Sequence, residues 1–133
     1  MSIIPDYRKW YNHNMKKELK LVKEFHNKFK VPVLKDPILI PKVRSDLRYE
    51  LMREEVDEYK LGAKNKDIEN IAKELADILY GVYGTILEHG LEGKMERIFK
   101  EVHRSNMSKD YSKLKIKKGK NYLKPNLKKI LDK

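Results

Sequence analysis

The stretch Leu47-Arg48-Tyr49-Glu50-Leu51-Met52-Arg53-Glu54-Glu55-Val56-Asp57-Glu58-Tyr59, followed after a short turn by Glu74-Leu75-Ala76-Asp77-Ile78-Leu79-Tyr80, decides the fold. Both segments carry helical apolar spacing with carboxylates set inside it. At about 100° per residue, Leu47, Leu51, Met52, Val56 and Tyr59 cover one broad arc, the one expected to face a core. Glu55 and Glu58 fall within that arc and Glu54 lies at its edge. Glu50, Arg53, Asp57 and Lys60 project to the opposite side, where solvated charges belong.

In the second segment Ile68, Ile71, Ala72, Leu75, Ile78, Leu79, Val82, Tyr83 and Ile86 fill about half of the helix circumference, so this helix is expected to be mostly buried. Glu74 and Asp77 lie three apart on the remaining seam, which continues as Gly81 and Gly84. Two glycines inside a helix cost roughly 1 kcal/mol each relative to alanine, which implies a close approach by a ligand or another helix. Between the segments, Gly62 reads as a helix stop and Asp67 as the N-cap of a restart. So short a turn makes the two helices antiparallel neighbours. Counted outward from it at about 1.5 Å per residue, Glu55 and Glu58 reach the level of Glu74 and Asp77 to within roughly one turn.

Four carboxylates facing one space need compensation. Two like charges roughly 4 Å apart repel by about 1 kcal/mol in water and about 4 kcal/mol at an effective dielectric of about 20. Protonation, pairing with Lys or Arg, or a bound cation relieves the repulsion. Oxygen-only ligands select a hard ion, and magnesium combines few carboxylates with waters and phosphate oxygens. The metal reading is the most economical, and surface glutamates on charged helices are the plain alternative.

At 133 residues the chain reads as one domain, residues 1–133, large enough to bury about two thirds of its unfolded surface. It has no cysteine, which excludes disulfides and thiolate metal sites. Residues 1–10 lack the apolar core of a signal peptide and no run approaches bilayer length, so a soluble cytoplasmic protein is expected, with no membrane partner. The formal charge of +11 attracts polyphosphate, nucleic acid or a membrane surface without choosing among them.

The remaining helices follow from the same spacing. Leu19, Val22, Phe25 and Phe29 mark a first helix over Asn14 to Lys28, preceded by Trp10 and Tyr11. Three prolines between Val31 and Pro41 favour a packed loop over a strand. Ser45 or Asp46 is positioned to cap the second helix, the third runs from Asp67 to His89, and Met95, Ile98, Phe99 and Val102 mark a fourth that ends near Arg104 to Asn106. Short connections between amphipathic segments give an all-α, antiparallel four-helix bundle with an irregular basic C-terminal tail.

In that tail Leu114-Lys115-Ile116-Lys117 alternates as a short strand would. A basic, partly ordered tail is the plain reading; the sharper one has lysines, with Asn106 and Tyr122, closing over phosphates. The histidines lack zinc-ligand spacing, and His26 reads as packing more than as a contact to a base. There is no P-loop, and Ser105 and Ser108 lack triad companions. A nucleic-acid-binding module without catalysis is the competing reading, but no recognised motif supports it and aromatic residues are not interleaved through the tail.

Glu54-Glu55-Val56-Asp57-Glu58 with Glu74-Leu75-Ala76-Asp77 resembles the paired acidic motif of the all-α nucleoside triphosphate pyrophosphohydrolases, which include MazG-like enzymes and phosphoribosyl-ATP pyrophosphohydrolase. The segment Glu101 to Lys109, followed by Lys118-Gly119-Lys120-Asn121-Tyr122 and Pro125, is similar to the phosphoribosyl-ATP pyrophosphohydrolase-like branch. The resemblance implies hydrolysis between the α and β phosphates of a nucleoside triphosphate, giving a monophosphate and pyrophosphate, in sanitation of the nucleotide pool. It assigns Glu55, Glu58, Glu74 and Asp77 to magnesium, with manganese as a substitute. Glu54 supplies a further ligand or orients the attacking water. Asn106, Lys109, Lys118 and Tyr122 are assigned to phosphate. A homodimer or homotetramer is implied as well, with active sites near subunit contacts.

Overall fold

The computed structural model describes residues 15–132, so the expectations placed on Trp10, Tyr11, His13 and Asn14 lie outside the described residues. The chain divides into two compact units, Met1–Leu91 and Glu92–Lys133. Helices account for most of the described residues, in the all-α bundle class expected from the sequence. No described helix is long and apolar enough to cross a membrane.

The first unit holds α1 (Lys16–Lys28), α2 (Lys42–Lys64) and α3 (Ile68–Glu88). α3 packs against both α2 and α1. Leu19 and Val22 of α1 and Ile86 and Leu87 of α3 form the apolar core. In α1 the inward position after Val22 belongs to buried His26, while Phe25 stands at the rim, edge-on to Tyr80 with ring centroids 5.4 Å apart.

α2 starts earlier and ends later than its sequence suggests. Pro41, with φ −54° and ψ 148°, occupies the N-cap position, and its carbonyl accepts from the Arg44 and Ser45 N–H groups. Proline suits a helix start because its φ is already set and its missing N–H would be unpaired there in any case. Ser45 and Asp46 therefore sit in the first turn, where the Ser45 hydroxyl donates to the Lys42 carbonyl and Asp46 pairs with Lys42. Gly62 does not stop the helix; it is buried inside α2, where a Cβ would meet Asn70 Nδ2 at 3.1 Å. The turn falls instead at Asn65 and Lys66, the latter at φ 54°. Asp67 caps α3 as expected, its side chain accepting from the Asn70 N–H at 3.1 Å.

The proline-rich connector is a loop pinned to the end of α3. The Leu34 N–H donates to the Leu87 carbonyl at 2.9 Å and the Ile38 N–H to the His89 carbonyl at 3.0 Å. Gly90, at φ 66°, lies so close to the Asp36 carbonyl that a Cβ would collide with it. α3 itself is less buried than its composition suggests: Ile68, Leu75, Leu79 and Val82 remain exposed, because α1 and α2 cover only part of its circumference.

The second unit holds α4 (Met95–Met107), the antiparallel strands β1 (Asp110–Ser112) and β2 (Lys115–Lys117), and the short α5 (Lys128–Leu131). Lys113 and Leu114, both at positive φ, make the two-residue turn, so the alternation after Leu114 does become a strand. The tail that follows is stitched to α4. Ser108 Oγ accepts from the Leu123 N–H at 2.8 Å, and Glu101 accepts from the Asn126 N–H at 3.1 Å.

Candidate metal centre

The i, i+3 spacing on α2 brings Glu55 and Glu58 to one face, and the antiparallel turn sets Glu74 of α3 opposite them. One carboxylate oxygen from each of the three lies within 4.8 Å of the others. Glu74 is buried, Glu55 half-buried and Glu58 exposed, so the cluster opens to solvent on the α2 side. Glu55 Oε2 and Glu74 Oε2 are both buried with no hydrogen-bond donor.

The close approach shows in the acidities. Glu55 is pushed up to about 7, first by hydrogen bonding to Glu74, then by burial and by the charges of Asp77, Glu58 and Glu74. Glu58 is raised as well, chiefly through its hydrogen bond to Glu74. Glu74 is lowered, because Glu55 donates to it. Such a bond between two carboxyls exists only while one of them keeps its proton, and the cluster as a whole therefore holds a proton more tightly than separate carboxyls would.

Asp77 stands beside this trio, with its Oδ2 on Lys73 Nζ at 2.8 Å; the same ammonium lies 3.3 Å from Glu74 Oε1. Lys73 was not anticipated, although its place four residues before Asp77 is the spacing of a helical ion pair. Glu54 is exposed on α2 and outside the trio. The remaining predicted residues belong to the second unit. There Tyr122 accepts from Ser105 at 3.3 Å and Lys118 Nζ lies 5.2 Å from its ring centroid. The Tyr122 hydroxyl is made more acidic, first by the Ser105 hydrogen bond and then by the charges of Lys118, Lys109 and Lys124. Asn106 is exposed and its carbonyl accepts from the Lys109 N–H.

Behind the trio runs a buried ionic strut. Arg48, one heptad before Glu55, donates to the Gly81 carbonyl at 2.9 Å and to Thr85 Oγ1 at 3.1 Å, and its Nη1 lies 3.3 Å from Glu88 Oε2. Arg44 reaches Glu88 Oε1 at 2.8 Å. The glycine seam is explained by close side-chain neighbours from α1 and α2. A Cβ on Gly84 would strike the Arg48 guanidinium and lie 2.9 Å from His26 Nε2, and one on Gly81 would lie 3.3 Å from Met52 Cγ. Sequence reading placed none of these arginines, since a buried Arg is recognisable only once its carboxylate is known.

A cleft of about 280 Å³ adjoins the trio, lined by Glu55 and Asp77, the Phe25 and Tyr80 rings, and the buried His26 and Arg48. His26 Nδ1 lies 3.0 Å from the Pro32 carbonyl, which only accepts, so that nitrogen carries the proton.

A bundle with paired acidic motifs on neighbouring antiparallel helices is the architecture of the MazG-like all-α nucleotide pyrophosphohydrolases. The family model for phosphoribosyl-ATP pyrophosphohydrolase matches residues 22–106, which include the whole acidic centre, and the chain belongs to that family. It is a pyrophosphohydrolase acting on nucleotide phosphoanhydride bonds. No curated protein matches the chain.

Proposed function

We propose that the protein is a magnesium-dependent nucleoside triphosphate pyrophosphohydrolase that cuts between the α and β phosphates and serves the upkeep of the cytoplasmic nucleotide pool. The observation that carries this reading is the pair of buried, donorless oxygens on Glu55 and Glu74 within the three-carboxylate cluster. An all-oxygen donor set with unpaired buried acceptors fits a hard divalent cation, held by Glu55, Glu58 and Glu74, with Asp77 joining when Lys73 swings away. When bound, the cation lowers the pKa of water and neutralises charge growing on the phosphate oxygens; manganese, of similar hardness, substitutes.

The chain's own groups do the rest. Glu54 orients the attacking water, and the Glu55 carboxylate, freed of its proton once a cation is held, is the second catalytic group. Of the aromatic residues able to stack on a base, Phe25 and Tyr80 line the adjoining cleft. In the second unit Lys109 and Lys118, near Tyr122, supply point charges for phosphate oxygens, and Asn106 an amide. A second copy of the chain, as homodimer or homotetramer, covers the exposed Ile68, Leu75, Leu79 and Val82 stripe of α3.

The test is incubation of the pure protein with a panel of common and damaged nucleoside triphosphates plus magnesium. Pyrophosphate and a monophosphate are expected from the wild type. Glu58→Gln and Asp77→Asn are expected to lower kcat by roughly 100-fold or more, the scale of losing one contact to developing charge. Release of orthophosphate, or full activity in both variants, overturns the reading.

A further inference from the structure

The positive charge of the chain is unevenly placed. Residues 92–133 hold fourteen lysines and arginines against five aspartates and glutamates, so a net +9 of the chain's +11 belongs to the second unit. Part of it is gathered on one face of α4, where Arg97, Lys100 and Arg104 recur at three- and four-residue spacing along about 10 Å of helix axis. Asn126, Lys129 and Ile130 form the other wall of a cleft of about 610 Å³.

The one acid in this cleft is already spent. Glu101 takes Arg104 at 2.6 and 2.8 Å and the Asn126 N–H at 3.1 Å, and these donors hold its carboxyl down to about 2. Lys100 is only loosely engaged by Glu96, at 3.6 Å. Among the described residues no carboxylate pairs with Arg97 or Lys129. The walls are thus fixed by an internal ion pair, while the cations that face the opening keep their charge.

We propose that this cleft is a second anion site, taking the di- or triphosphate group of a nucleotide or of free pyrophosphate. An arginine fork meets phosphate oxygens in pairs and lysines add point charges, and a concave, one-signed wall focuses the field. No aromatic ring lines the cleft, so it lacks the stacking platform of single-strand nucleic-acid grooves; what it reads is phosphate and not base. The site is separate from the phosphate residues assigned above, for Asn106 lies about half a turn round α4 from Arg97 at about 100° per residue.

The test is calorimetric titration of the full-length protein in metal-free buffer at physiological ionic strength, with inorganic pyrophosphate in one arm and ATP in the other. Saturable binding is expected in the wild type and in Glu58→Gln, which makes the result independent of the metal centre. The Arg97→Gln/Lys129→Gln double variant is expected to bind at least about tenfold more weakly, equivalent to about 1.4 kcal/mol, with its basal turnover unchanged. Arg97→Lys, which keeps the charge, retains part of the affinity. Equal binding in both arms assigns the site to any pyrophosphate group, and binding of ATP without binding of pyrophosphate contradicts a site that reads phosphate alone. Three further results overturn the proposal: wild-type binding no stronger than that of sulfate, a double variant that binds like the wild type, or a single-stranded oligonucleotide that displaces pyrophosphate and is itself lost in the double variant.

Discussion

A carboxylate oxygen of Glu55 on α2 lies within 4.8 Å of one of Glu74 on α3, and each residue has a buried oxygen, Oε2, without a hydrogen-bond partner. Two acids in that relation share a proton or a cation, and the choice between them depends on pH.

The first prediction follows from the sign of that linkage. Glu55 titrates in the folded protein at about 7 against an ordinary 4.5, and Glu58 is raised in the same direction, so between those values the native state binds more protons than the unfolded chain. Stability without metal therefore falls as pH rises from about 4.5 to about 7 and flattens above. Thermal melts in chelated buffer are expected to show Tm declining across that window, and saturating magnesium is expected to abolish the decline. Buried His26, whose pKa is lowered chiefly by burial, acts with the opposite sign, so the readout is the wild type against Glu55→Gln: a wild-type Tm that gains on the variant as pH rises through the window contradicts the shared-proton arrangement.

Glu88 is predicted to hold the two helices in register. It is fully buried between Arg44 and Arg48, so Glu88→Ala leaves two guanidinium groups without their carboxylate. Breaking a buried pair from one side costs about 3–5 kcal/mol, to be read as a lowered urea midpoint. A midpoint within error of the wild type shows that Arg48 is satisfied by Gly81 and Thr85 alone.

Gly84 and Gly93 form a matched pair of substitutions. Alanine at Gly84 drives a methyl group into the Arg48 guanidinium, which cannot retreat while Gly81, Thr85 and Glu88 hold it, and is expected to cost about 1–3 kcal/mol. Alanine at Gly93 meets nothing within 4 Å and is expected to be neutral or to stabilise by up to about 1 kcal/mol. Equal melting curves for the two variants would remove the glycine seam from the packing argument.

The parts of the fold legible in the sequence are those set by local chemistry. Asp67 as N-cap and the apolar spacing of α4 each declare themselves within a few residues, and the prolines at 32 and 37 keep the connector out of a helix. The apolar arc of α2 reads as core-facing, yet Leu47, Leu51, Val56 and Tyr59 are exposed and Met52 only half-buried, because the buried places on this helix go to Arg48 and Gly62. The meeting of Glu55 and Glu58 with Glu74 was legible too, because a short antiparallel turn converts counting into height. What was not legible depends on distant partners. Gly62 looks like a terminator and is instead a packing contact with Asn70 and Ile71. Phe25 looks like core, but His26 takes the inward place, where the Pro32 carbonyl satisfies its Nδ1–H. Lys73 pairs with Asp77, a contact that helical projection allows but does not require.

The most direct test of the central claim is a magnesium titration by calorimetry in two buffers of different ionisation enthalpy, run on the wild type and on Glu58→Gln. Saturable binding with release of a proton near pH 7 is expected in the wild type, because a cation displaces the proton held by Glu55, and binding is expected to be weakened or lost in the variant. Equal magnesium affinity in both proteins, or no proton release, contradicts a metal centre built from these carboxylates.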